Sequence, residues 1–265
     1  MSIRKMFCSL SLALSCLLVG TANAGPVRPE RILFVGNSLT YVGNLPAVLE
    51  TLAQVNGKSL HAEMLVKGGA TLTQWLDAGS VPRALAASHY DDVVLQERGF
   101  DFACGFGPQV CKDSRHALRA LAGIVRKAGA EPILMGTYQV APDASQAIVA
   151  AESKAARSDA IPYIAVSGRL NEGRQKFPYA DWFARDGHPG HDLVLLEAVL
   201  LYKQLFGVLP QARTLEVRAP MFVPGSKFAA PAPVSLPLLP NIALAGGYDY
   251  SRTDLANATG LASGH

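Results

Sequence analysis

The sequence predicts an α/β fold, a three-layer α/β/α sandwich built around a five-stranded parallel sheet. Two observations carry that expectation. Five short apolar runs, each bounded by Gly or a polar turn, read as buried strands. Between them lie longer segments whose apolar residues recur every three or four positions, which reads as helix. Strands and helices alternating in this way form right-handed βαβ units and a sheet covered on both faces. A hydrophobic content of 49% over 265 residues suffices for one substantial core.

The first run, Ile32 to Val35, leads into Gly36-Asn37-Ser38. Asn44 and the early Pro46 then mark a helix start, and Leu45, Val48, Leu49, Leu52 and Val55 keep helical spacing until Asn56-Gly57 ends it. Leu60 to Val66 reads as the second strand. It is followed by Lys67-Gly68-Gly69-Ala70-Thr71, a helix through Trp75-Leu76 and a short helix from Pro82 to Ser88. Val93-Val94-Leu95 is the third strand and ends in Gln96-Glu97-Arg98-Gly99. Ser114 to Ala128 is helical, and Pro132 to Met135 is the fourth strand. Asp143 is placed to cap a helix to about Arg157, and Tyr163 to Val166 is the fifth strand. Leu193 to Phe206 is a strongly apolar helix and should be largely buried. The expected layout is flavodoxin-like and takes residues 25–213, with no internal repeat.

The N-terminus stands apart. Arg4 and Lys5 precede an apolar run from Met6 to Val19, and Ala22-Asn23-Ala24 supplies small residues for cleavage. That order reads as a signal peptide over residues 1–24, cleaved near Ala24, and implies a secreted or periplasmic protein. Ser9, Ser11 and Ser15 in so short a run disfavour a membrane span. A lipoprotein reading at Cys16 is weaker, because Ala13-Leu14-Ser15 lacks a bulky residue three places upstream and the apolar run continues past the Cys. Cleavage takes Arg4 and Lys5 from 24 basic residues, leaving 22 against 21 acidic ones, a net charge of about +1. Without a Lys/Arg cluster elsewhere, nothing points to a nucleic-acid partner. Cys8 and Cys16 leave as well, so Cys104 and Cys111 remain, and in an oxidising compartment they should form a disulfide. Two Cys without a neighbouring pair of His or Cys make only half a zinc site. The bridge would contribute about 2 kcal/mol in the chain-entropy view and hold the loop Gly99–Asp113 in shape. Phe100, Phe102 and Phe106 could line that loop or pack beneath it.

Residues 214–265 form a Pro/Ala-rich extension. Pro220, Pro224, Pro231, Pro233, Pro237 and Pro240 oppose a regular helix or central strand. Its apolar residues are too many for a solvated linker, so part of it should wrap along the domain or meet a partner. The end, from about Ser251, reads as disordered.

Ser38 is the first candidate for chemistry, because it follows the carboxyl end of the first strand, where open α/β sheets place ligands. A hydrolytic serine needs a base and donors for an oxyanion, and His is the residue that titrates near neutrality. His61 lies in a strand, His89 and His116 in or beside helices, and His265 at the terminus, so these read as structural. Asp186-Gly187-His188-Pro189-Gly190-His191-Asp192 is a polar turn between the last strand and the last large helix. His188, with Asp186 two residues behind it, is favoured over His191, which should lie in the first turn of the helix beside Asp192.

Gly36-Asn37-Ser38-Leu39 after one strand, Gly69-Ala70-Thr71 after the second and Asp186…His188-Pro189 before a terminal helix resemble the SGNH (GDSL-type) hydrolases. The resemblance covers roughly residues 30–207. It implies that Ser38 is the nucleophile, that the Ser38 and Gly69 backbone N–H groups are oxyanion donors, and that His188 is the base oriented by Asp186. It implies ester substrates of small acyl groups, lipids or acetylated sugars, and no metal or organic cofactor. Two departures stand out. The family's Gly-x-Asn-Asp after the third strand is absent, and Gln96 is the candidate for its oxyanion amide, ahead of Asp101, whose carboxylate would repel an oxyanion. The usual Asp-x-x-His is shortened here to Asp186-x-His188, so a backbone carbonyl orienting His188 in a Ser–His dyad is the alternative. Gly36-Asn37-Ser38-Leu39-Thr40 also lacks the last Gly of the G-x-S-x-G elbow, which argues against an α/β-hydrolase. The departures leave open an inactive glycan-binding or envelope module. A flavodoxin-type phosphate loop is opposed by the missing Gly and the export signal.

Overall fold

A computed structural model describes residues 30–229, 231–233, 243–244 and 248–264. The predicted signal peptide and the prolines at 237 and 240 lie outside them. The chain runs β1 (Glu30–Gly36), α1 (Ser38–Tyr41), α2 (Leu45–Val55), β2 (Leu60–Val66), α3 (Leu72–Asp77), α4 (Ser80–Ala87), β3 (Asp92–Gln96), α5 (Pro108–Lys127), β4 (Glu131–Met135), α6 (Ala144–Ser158), β5 (Tyr163–Ile164), α7 (Val166–Lys176) and α8 (His191–Phe206). The extension adds β6 (Leu215–Val217), β7 (Met221–Phe222), β8 (Ala232–Pro233), β9 (Ala243–Leu244), β10 (Tyr248–Tyr250) and α9 (Arg252–Ser263).

The first five strands form the expected parallel sheet, in the order β5-β4-β3-β1-β2. β8 joins the free edge of β2 antiparallel, over two residue pairs. Side chains alternate across β1. Ile32 and Phe34 enter the core beneath α2, α8 and α9, while Leu33 and Val35 enter the core beneath α3, α4 and α5. Both faces are therefore covered, which is why these strands read as continuous apolar runs and not as an alternation. The chain leaves β1 for β2 on one side and returns to β3 on the other. The carboxyl ends of β1 and β3 are thus the topological switch point, where such sheets open a crevice.

Three readings are corrected. Residues 252–263 are a helix and not a disordered tail. Ser251 and Asp254 form a capping box, with Asp254 N–H donating to Ser251 Oγ at 3.2 Å and Ser251 N–H to Asp254 Oδ2 at 2.7 Å. Leu255, Ala258, Leu261 and Ala262 are buried at helical spacing against α8. Ala, Thr and Gly dilute the stripe in sequence, yet α9 packs on α8, and residues 193–199 of α8 are all buried. Second, the fifth strand stops at Ile164, and α7 follows at once. Gly168, Gly173 and polar residues mask α7 in the sequence; Gly173 is required because a Cβ there would lie 2.8 Å from the Trp182 ring. Third, α5 begins at Pro108 and not Ser114, so Cys111 sits in its first turn. The Cys104–Cys111 disulfide (Cα–Cα 4.9 Å) ties the loop after β3 to that helix.

Candidate active site

The serine end of the site is a tight turn. Gly36 has no room for a side chain: a Cβ would lie 2.4 Å from Thr40 Oγ1. Asn37, 1% exposed, caps α1 by accepting from Leu39 N–H at 3.0 Å, and its Nδ2 donates to Ala70 O at 3.0 Å. One side chain thus fixes both the start of α1 and the loop after β2. Ser38 is the first residue of α1, so its backbone N–H has no acceptor within the helix. Gly69 adopts φ +67°, and a Cβ there would meet nothing within 4 Å. It is needed for its backbone conformation, not for space.

Glu97, fully buried, holds that second loop from below. Its carboxyl accepts from Leu72 N–H at 3.1 and 3.3 Å and from Arg98 N–H at 2.8 Å. Glu152, in α6, does the same for the loop after β4, accepting from Thr137 N–H at 2.9 Å, Thr137 Oγ1 at 2.6 Å and Tyr163 OH at 2.8 Å. Burial pushes each of these carboxyls up to about 7. Sequence reading passed over both, since a single Glu in an apolar stretch does not announce which backbone it will meet.

Gln96 ends β3 beneath α1. Its Oε1 accepts from Thr40 Oγ1, and its Nε2 is buried without an acceptor among the described residues. It is 1% exposed and does not line the cleft wall. Asp101 is engaged elsewhere: its Oδ1 accepts from Arg98 Nε at 3.2 Å and Nη2 at 3.0 Å.

The histidine end is a compact turn. Gly187 at φ +83° folds the chain back, so Asp186 reaches both ends of His188 despite the shortened spacing. Asp186 Oδ1 accepts from His188 N–H at 3.2 Å, and Oδ2 lies 3.1 Å from His188 Nδ1. This is an ion-pair distance, but the ring N–H is not aimed closely enough for a directed hydrogen bond. The His188 backbone N–H, and then its ring, hold the Asp186 carboxyl below its ordinary value. Ala184 N–H bonds His188 O at 2.9 Å, and Phe183 pairs with Pro189, which closes the turn.

The other histidines stand apart. The His191 ring stacks on Tyr250 at 3.8 Å, and its Nε2 lies 3.2 Å from Asp249 O, so it anchors the C-terminal segment. His61 lies between Glu50 and Glu63, and His89 against Asp91. His116 is on the exposed side of α5, and His265 lies outside the described residues.

A cleft of about 300 Å³ gathers the carboxyl-end loops. Ser38 and Leu39 come from β1, Gly69 from β2, Arg98, Gly99 and Phe106 from β3 and its disulfide loop, Tyr138 to Val140 from β4, and Asp186 to His188 from the last turn. Of the loop aromatics, Phe106 reaches the cleft, Phe102 is buried in the core and Phe100 packs on Gly105. Ser38 and His188 face the same cleft, and no hydrogen bond joins them among the described residues, a separation common before substrate binds.

Known structures share this fold over about two thirds of the chain. The fold is that of the SGNH hydrolases. A candidate SGNH hydrolase from Slackia heliotrinireducens matches at 24% identity and a TM-score of 0.56, over 67% of this chain and 100% of that one. A lipase/acylhydrolase from Enterococcus faecalis matches at 15% identity and 0.52, over 68% of this chain and 97% of its own. An acetyl-xylooligosaccharide esterase mutant from Geobacillus stearothermophilus matches at 16% and 0.52, over 67% and 93%. No protein-family profile and no curated protein matches the sequence.

Proposed function

We propose that this chain is a secreted serine ester hydrolase of the carboxylesterase or acetylesterase type, working through an acyl-Ser38 intermediate. The observation that carries the reading is the single cleft at the switch point of the sheet, to which Ser38, Gly69 and the Asp186–His188 turn all contribute. In this reading His188 takes the Ser38 hydroxyl proton as Oγ attacks the ester carbonyl. The backbone N–H groups of Ser38 and Gly69 receive the developing oxyanion. His188 then returns the proton to the leaving alcohol, and water, activated in the same way, frees Ser38. Asp186 orients the ring and offsets the imidazolium charge. An acylated carbohydrate as substrate is supported by the esterase of acetylated xylooligosaccharides among the similar structures.

The test is hydrolysis of 4-nitrophenyl acetate by the wild type and by Ser38→Ala. Loss of turnover in the variant is expected. Equal rates would leave the second reading, an inactive glycan-binding or envelope module, which the position of Gln96 off the cleft wall favours.

A further inference from the structure

We propose that Arg98 binds a carboxylate on the substrate, so that the cleft selects anionic esters over their neutral counterparts; this rests on the ester-hydrolase reading above. Arg98 is the one Lys or Arg on the cleft wall among the described residues. The register of β1 against β3 pairs Val35 with Leu95, so Ser38 and Arg98 each stand three residues beyond a paired position, on neighbouring strands at the switch point.

The guanidinium is fixed before any ligand arrives. Its Nε and Nη2 donate to Asp101 Oδ1 at 3.2 and 3.0 Å, and Asp101 is fully buried. Its carbon lies 4.1 Å from the centre of the Phe106 ring. One edge of the planar group is therefore spent and one face is covered. The edge carrying Nη1 has no acceptor among the described residues, and the side chain stays 38% exposed. A guanidinium presents paired N–H donors with the geometry of a carboxylate. An arginine held in advance gives up less rotamer freedom on binding than a free one.

The surrounding loop is built for position. Phe100 at φ 79° and Cys104 at φ 61° are non-glycine residues in the left-handed region, a strain that persists only where neighbours dictate it. The Cys104–Cys111 bridge dictates one. Gly105 accommodates the other: a Cβ there would fall 2.0 Å from the Phe100 ring, and its N–H donates to Phe100 O at 3.1 Å. Gly99 likewise lets the backbone after Arg98 meet the β4 loop, where a Cβ would stand 2.9 Å from Tyr138 O.

A carboxylate could sit on the acyl part or on the alcohol part, and two substrate pairs separate these. Mono(4-nitrophenyl) adipate against its neutral methyl ester probes the acyl side. Acetylated galacturonic acid against its methyl ester, followed by acetate release, probes the alcohol side. Rates are taken above the Ser38→Ala background. The wild type is expected to prefer the charged member of one pair by about tenfold or more in kcat/KM. Arg98→Gln should bring that ratio to about one, and Arg98→Lys should keep part of it. Wild-type ratios within about twofold of one in both pairs overturn the proposal, whether or not the variants fold. So does a preference that survives in an Arg98→Gln protein melting like the wild type. Absence of Ser38-dependent turnover with all four esters overturns the hydrolase reading itself, whereas turnover without charge preference overturns the role of Arg98 alone.

Discussion

Ser38 and His188 face one cleft from supports of opposite kind. On the serine side the supporting groups are buried: Asn37 caps α1 and reaches Ala70, Thr40 holds Gln96, and Glu97 holds the start of α3. On the histidine side the partner is Asp186, a carboxylate 55% exposed, carried on a turn that Gly187 folds. Buried hydrogen bonds are stronger in a low local dielectric and costly to leave half-made, while an exposed ion pair is screened and typically contributes 0–1 kcal/mol. The serine side should thus be rigid and intolerant of change. The histidine side should be tunable, and its pairing should depend on salt.

Four experiments sharpen or break that contrast, from largest expected effect to smallest. Ser38→Ala should lower kcat by about 10³-fold or more, with unchanged melting, because Ser38 Oγ makes no hydrogen bond among the described residues. Gln96→Leu should lower kcat by about 10²-fold if Nε2 serves the oxyanion; a purely structural Gln96 would lower the melting temperature and leave kcat per folded molecule in place. Asp186→Asn should cost only about tenfold in kcat, far below the roughly 10⁴-fold seen where the triad acid is buried. The wild-type advantage over Asp186→Asn should shrink between low and high salt. A loss of 10⁴ would show that exposure does not weaken this partner.

The smallest effect is on stability. Glu97 and Glu152 have carboxyls raised to about 7 in the folded chain, against an ordinary value of 4.5. Between those limits the unfolded state binds fewer protons, so their contribution to stability is full below about pH 4.5 and is lost as pH rises through about 7. A double Glu97→Gln, Glu152→Gln protein should show a flatter fall of melting temperature from pH 5 to pH 7.5 than the wild type. Asp92 is also raised to about 7 and is left intact, so the slope should flatten without vanishing. An unchanged slope in the double variant would contradict the assignment.

Much of this was legible in sequence. The strands were visible because both faces of a parallel sheet are covered, and the candidate cleft because Gly36-Asn37-Ser38 and Gly69 follow strand ends and the Asp186–His188 turn precedes α8. What was hidden depends on packing. α9 buries Leu255 and Leu261 among small residues, too weak a stripe to read alone. Arg98 looks like any loop arginine until Asp101 and Phe106 close around it. Glu97 and Glu152 act through backbone N–H groups, which have no sequence signature. The extension deceived for the same reason: its residues gain order from α8 and the edge of β2, not from local periodicity.

The central claim, that His188 activates Ser38 as a nucleophile, is tested most directly with a fluorophosphonate probe followed by peptide mass spectrometry. The expected result is a single adduct on the peptide containing Ser38, formed rapidly by the wild type and at least about 10²-fold more slowly by His188→Ala. No adduct, an adduct on another serine, or a labelling rate indifferent to His188 would contradict the account.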